Sequence, residues 1–112
     1  MKQVIQGVCP SKSNSYKIGK NGMYKSDALL SYENSFFIQC KLRGKNIQNY
    51  FEIYLDVYYP SQRADLDNSL KIILDCLQRC KAIKNDNKCV KIVANKFLDT
   101  KEPRIEFEIK EI

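Results

Sequence analysis

A chain of 112 residues, 44% hydrophobic and 29% charged, has room for one packed domain of the ordinary globular kind, spanning residues 1–112. Its formal charge of +6 suits a polyanionic partner, nucleic acid first among them, with lysine for solubility as the plainer alternative. The absence of histidine excludes Ser-His-Asp and Cys-His catalysis and any nuclease that relies on a histidine, so hydrolysis would need carboxylates and a water-activating metal.

No apolar run approaches the ~20 residues that span a bilayer, and the opening residues lack a signal peptide's apolar centre. A cytoplasmic protein with no membrane partner is therefore expected. Five cysteines are an odd number, contain no CxxC pair and read as reduced thiols. The positive charge is uneven: residues 1–30 carry five lysines against Asp27, whereas residues 99–112 carry five acids against three bases.

In chain order, Lys2 to Cys9 reads as a short strand with Val4, Ile5 and Val8 for the core. A segment rich in Ser, Asn, Lys and Gly follows, and Asn21-Gly22 is a turn signal that predicts a small hairpin of Tyr16–Ile18 with Met23–Lys25. Ser26 is placed to cap a helix whose apolar members are Leu29, Leu30, Phe36, Phe37 and Cys40, with Gly44 as its stop. Tyr50 to Tyr59 alternates cleanly: Phe51, Ile53, Leu55, Val57 and Tyr59 share one face. Tyr50, Tyr54 and Tyr58 share the other, where packing against a helix is favoured over stacking on unpaired bases.

Pro60 ends that strand. A second helix runs from Leu66 to Cys80 along the stripe Leu66, Leu70, Ile73, Leu77 and Cys80. Beyond a polar connection, Cys89–Leu98 and Arg104–Ile112 read as strands separated by a turn at Pro103. The order β-α-β-α-β-β predicts an α+β domain with a mixed sheet and two flanking helices.

The densest chemistry is Arg63-Ala64-Asp65-Leu66-Asp67-Asn68-Ser69-Leu70-Lys71, where the central strand hands over to the second helix. Two carboxylates two apart at such a junction point into a common space, and with Asp86 from the downstream connection they could hold Mg²⁺ through oxygen ligands. Lys71, one turn after Asp67, would set positive charge near a phosphate. A structural explanation competes. Asp is a preferred N-cap, Asp67, Lys71 and Asp75 have the spacing of a salt-bridge ladder, and Asn85-Asp86-Asn87 suits a turn.

The pattern Asp65-x-Asp67-Asn68-x-x-Lys71, an apolar helix containing Asp75, and Asp86 nineteen residues after Asp67 resembles the RusA-type Holliday junction resolvases. Pro10-Ser11-x-x-Asn14-x-Tyr16 is similar to that family's opening segment, and Tyr32 falls in the next helix as a Tyr commonly does there. Two departures stand out: Asn85 precedes Asp86 where a second acid is frequent, and Ala64 follows Arg63 where some members have another base. The resemblance implies a homodimeric endonuclease using Mg²⁺, with Mn²⁺ as a substitute, that cuts four-way DNA junctions symmetrically. By position it implies Asp65, Asp67 and Asp86 as metal-holding catalytic carboxylates and Lys71 as the catalytic lysine. Lys12, Asn14, Tyr16, Lys17 and Lys20 of the basic segment, with Arg63, are the expected DNA contacts. The alternative from another class is a non-catalytic dimeric nucleic-acid-binding module on the same scaffold.

One geometric question stays open at this level. Asp86 lies beyond the far end of a helix of about 15 residues, roughly 22 Å long, and the six residues Lys81–Asp86 would reach back only if nearly extended. Either the connection folds back, or two helices pair antiparallel along the Leu66/Leu70/Ile73/Leu77 stripe and each site draws on both subunits.

Overall fold

The alternation of buried and half-buried residues along Phe51–Tyr59 is unbroken, and this strand is the centre of the fold. The computed structural model describes residues 2–11 and 14–112. Its elements are β1 (Gln3–Gln6), a hairpin of β2 (Tyr16–Gly19) and β3 (Gly22–Lys25), α1 (Asp27–Gln39), β4 (Phe51–Tyr59), α2 (Leu66–Arg79), a 3₁₀ turn at Asp86–Lys88, β5 (Cys89–Leu98) and β6 (Arg104–Glu111). The hairpin apart, the order is the expected β-α-β-α-β-β, and the class is α+β. Among the described residues no helix is long and apolar enough to cross a membrane.

Four strands form a mixed sheet in the order β1-β6-β4-β5. β4 runs antiparallel to β6 and parallel to β5, with Leu55 opposite Phe107 on one side and Ala94 on the other. Both helices cover the face that carries Phe51, Ile53, Leu55, Val57 and Tyr59, and with Ile105 and Phe107 of β6 these residues make the core. Phe36 of α1 stacks on Phe107 at 6.1 Å between ring centres.

Two expectations for apolar residues fail. In β1 it is Gln3 and Ile5 that point inward, while Val4 and Val8 are exposed. A strand's period of two cannot bury both Val4 and Ile5, and Gln3 is retained inside because its side-chain oxygen accepts the Lys41 N–H at 3.3 Å. The open face of the sheet carries no helix. Instead its tyrosines lie under cations: Arg104 over Tyr58 at 3.8 Å, Lys110 over Tyr54 at 5.0 Å and Lys88 over Tyr50 at 4.8 Å.

The helices end where backbone chemistry dictates. The Ser26 side chain accepts the Leu29 N–H at 3.1 Å and caps α1 as expected. That helix stops at Gln39, before Gly44, which serves a separate turn at φ +81°. α2 closes through Lys81 at φ +59°, letting the Ala82 N–H reach the Leu77 carbonyl at 2.9 Å.

The chain then runs beside residues 46–47: Asn46 and Ile47 donate to the carbonyls of Lys81 and Ala82, and Lys84 donates back to Ile47. This ladder, with Ala82 and Ile83 buried, fixes the far end of α2. Replacing Ser26 with Ala removes one capping acceptor from a buried helix start. Thermal unfolding should show a loss of about 1 kcal/mol, a drop of roughly 3–6 °C in Tm.

Candidate metal and DNA site

β4 delivers the chain to the start of α2 through residues 60–65, and that passage is held from below and from the side. Tyr59, buried at the end of β4, donates its hydroxyl to the Asp65 carbonyl at 3.3 Å and hydrogen-bonds the Ser69 hydroxyl. From β5, the Lys96 ammonium donates to the carbonyls of Gln62 at 2.9 Å and Ala64 at 2.6 Å. On the third side, the Asn68 side-chain amide donates to the Pro10 carbonyl at 3.4 Å, joining the N-terminal loop to α2. Burial raises the Tyr59 hydroxyl above its ordinary pKa, with the negative charges of Asp65 and Asp67 adding to the shift and the Ser69 hydrogen bond opposing it. The phenol therefore stays a neutral donor.

On this support the two acids make few contacts among the described residues. Asp65 occupies the N-cap position, yet its side chain makes no capping hydrogen bond. Asp67 uses one carboxylate oxygen on the neighbouring Asn68 N–H at 2.9 Å and stays exposed. Lys71, also exposed, stands in no ion pair within 4.0 Å among the described residues, so the Asp67–Lys71–Asp75 ladder is not closed. Two exposed carboxylates at a helix start, with an exposed ammonium one turn on, could meet a dication and a phosphate.

Asp86 stands elsewhere. Its N–H donates to the Gln78 side chain at 3.0 Å, near the end of α2, and Asn85 caps the short turn that it opens. α2 has 14 residues and so separates Asp86 from the Asp65/Asp67 pair by about 21 Å of helix. Among the described residues no three acid or thiol side chains gather into a metal-binding group. The connection does not fold back, because the ladder to residues 46–47 holds it at the far end. The helix-pairing arrangement fails too: Ile73 and Leu77 are 0% exposed, packed into their own core.

Of the expected DNA contacts, Arg63 and Asn14 sit beside the acids. Arg63 and Asn14, with Pro10, Tyr59 and Ala64, line a cleft of about 470 Å³ next to Asp65. Arg63 is exposed, and its guanidinium has no partner among the described residues. Tyr16, Lys17 and Lys20 lie on or at the turn of the β2–β3 hairpin, all exposed, while Lys12 falls outside the described residues.

The hairpin is pinned to the helices by Glu33, which sequence reasoning missed. This buried carboxylate accepts Lys25 at 2.8 Å and lies 3.9 Å from Arg79, and one of its oxygens has no partner. Nothing in the spacing around Glu33 marks it, nor Tyr59 or Lys96, because each acts through a partner distant in sequence. All five cysteines are free and four are buried, with burial pushing Cys9 up to about 11.

The α+β scaffold thus presents exposed acids at the start of α2 and a basic hairpin against the middle and end of the same helix. The family model for the endodeoxyribonuclease RusA matches residues 7–110, and the chain belongs to that endodeoxyribonuclease family. No individual curated protein matches it.

Asp75, in the middle of α2, yields a pH test. Burial raises its carboxyl pKa, and Lys71 only partly offsets this. A raised folded-state pKa means that the protonated form suits the fold, so Asp75 favours folding below its unfolded pKa and opposes it once ionised. Asp75→Asn should therefore be more stable than the wild type at pH 7 in urea unfolding, with the gain vanishing below about pH 4. An equal gain at both pH values would assign the effect to something other than ionisation.

Proposed function

We propose that this protein is a structure-selective DNA endonuclease that cuts four-way junctions by Mg²⁺-dependent phosphodiester hydrolysis. Mn²⁺ would serve in its place. One observation carries the reading: in a chain of this family, Asp65 and Asp67 sit exposed on a braced helix start, Asp65 making no capping hydrogen bond, with Lys71 exposed one turn later.

Asp65 and Asp67 would hold the metal from the helix start, and Asp86, about 21 Å of helix away in its own chain, could join them only from a second subunit. The donor set suits a hard dication, since it offers oxygen atoms alone and leaves positions for water. Such an ion lowers the pKa of a water and neutralises charge on the scissile phosphate. The chain's own residues then do the positioning. Lys71 holds positive charge against the phosphate oxygens, and Arg63 offers its guanidinium to the neighbouring backbone. Lys12, Asn14, Tyr16, Lys17 and Lys20 align the strand, binding phosphates without reading sequence.

A junction has two equivalent strands to cut, so the working form is a homodimer. The setting is the cytoplasm, on recombination, repair or replicated viral DNA. The decisive experiment incubates a labelled four-way junction with protein, with and without Mg²⁺. Paired symmetric nicks only in the presence of metal support the proposal, and salt-sensitive binding without nicks would make the protein a non-catalytic DNA-binding module.

Asp67→Asn keeps shape and removes charge. Cleavage should fall to background while junction binding is retained or tightened, because one negative charge beside the phosphates is gone. Near-normal cleavage by this variant would remove Asp67 from the metal site. Replacing Lys12, Lys17 and Lys20 together with Gln should weaken binding and flatten the log–log salt slope by up to ~0.9 for every phosphate that the variant no longer neutralises. An unchanged slope would leave these lysines facing solvent only.

A further inference from the structure

We propose that the cleft between the β2–β3 hairpin and the two helices is a pocket for one unpaired guanine of the bound DNA, read by the Glu33 carboxylate. The inference rests on the DNA-binding part of the reading above, and on the chemistry of the cleft for everything else.

The cleft holds about 320 Å³, within the size range of small-molecule sites. Leu29 of α1 and Ile72 of α2 give it apolar walls, and the hairpin closes it with Tyr16 and Lys25. Those two are cross-strand partners, so ring and ammonium stand side by side on one face of the hairpin. Tyr16 is 42% exposed, which suits stacking on a planar base.

Glu33 is the unusual member. Its side chain is only 7% exposed, and the Lys25 ammonium donates to its Oε2 at 2.8 Å. Its other oxygen, Oε1, is buried and has no hydrogen-bond partner among the described residues. Buried carboxylate oxygens are normally met by donors, so one left over at a cleft marks a donor still to come. Arg79, the second cation near Oε2, lies at 3.9 Å with its side chain 61% exposed, and so is held loosely. Asp75 lines the same cleft from α2, and burial raises its carboxyl pKa. Two carboxylates short of donors thus stand beside two cations.

That set defines what fits: a planar group with several N–H donors next to one acceptor. Among the bases, the Watson–Crick edge of guanine has this order, with N1–H and the N2 amino group beside the O6 acceptor. Thymine offers one N–H between two carbonyls. In the complex, N1–H and one N2 hydrogen donate to Glu33, the other N2 hydrogen donates to Asp75, and Arg79 turns to donate to O6. Tyr16 stacks on the ring. A base enters such a pocket only out of its stack, and branched DNA supplies unpaired bases at lower cost than an intact duplex. Asp75 lies eight residues after Asp67, ~12 Å along α2, or about three to four nucleotides at the 3.4 Å rise of one strand. Lys17 and Lys20, on the same hairpin as Tyr16, would hold the backbone of that stretch.

Four duplexes, alike except for one extrahelical deoxyguanosine, deoxyinosine, thymidine or abasic sugar, test the pocket by fluorescence anisotropy at one salt concentration. The guanine duplex should bind about tenfold tighter than the thymine and abasic duplexes, and inosine, which lacks only the N2 amino group, should fall between. Glu33→Gln sets an amide N–H against the base's own N–H groups and should bring the guanine-to-abasic ratio close to one. Because Glu33→Gln also weakens the Lys25 contact, Asp75→Asn is the second variant, and it should shrink the difference between guanine and inosine. Equal wild-type affinity for all four duplexes overturns the pocket and leaves the nuclease reading intact.

A second readout needs no grip on a DNA strand. Titrating deoxyguanosine monophosphate into ¹⁵N-labelled protein should move the amide signals of Leu29, Glu33 and Ile72, with smaller shifts for deoxyinosine monophosphate. Shifts confined to the hairpin would mean phosphate contact alone and overturn the pocket. Guanine-selective shifts in a protein that neither binds nor cuts junctions would sink the nuclease reading and leave the pocket standing.

Discussion

The parallel pairing of β4 with β5 constrains everything else in this chain. Parallel neighbours cannot be joined by a tight turn, so the polypeptide must travel back along the sheet, and α2 is that return. The helix start is thereby fixed at the carboxyl end of β4, the place where open sheets with parallel strands keep their reactive residues. The same return carries Asp86 to the other end. A single topological fact thus accounts both for the exposed acid pair and for the distance of the third acid from it.

Holding two like charges at one helix start needs a rigid base, and the structure supplies it with neutral or compensating groups. Tyr59 and Ser69 bond beneath the helix start, and burial keeps the phenol protonated, so no third negative charge accumulates under Asp65 and Asp67. Lys96 grips the connecting loop through two carbonyls without pairing with either acid. The helix N-terminus favours negative charge at the same place. Glu33 serves the hairpin differently: a buried carboxylate between Lys25 and Arg79 costs solvation, but it sets the orientation of the basic strands against both helices.

What was legible in the sequence followed from local periodicity. The strict alternation of Phe51–Tyr59, the Asn21-Gly22 turn and the Ser26 cap all appear where their spacing puts them. The α2 stripe was legible as a helix but misleading as a surface, because periodicity marks an apolar face without saying what covers it. Ile73 and Leu77 pack on their own sheet. β1 failed for a related reason: a short strand with Val4, Ile5 and Val8 offers two possible faces, and a hydrogen bond from the distant Lys41 decides for Gln3.

The candidate site was legible only in part. Asp65, Asp67, Lys71 and Asp86 were singled out together through the family resemblance rather than by spacing alone, and spacing along a chain does not measure distance across a fold. The structural explanation for those acids, capping and a surface ladder, needed an Asp65 capping bond and close ion pairs that the described residues do not form. An N-cap aspartate normally spends its carboxylate on the first helical turn, worth about 1 kcal/mol. Here that contribution is left unused, and Lys71 acts on Asp75 without a close ion pair. Among the described residues these groups face solvent, and the capping and ladder explanation does not account for their placement.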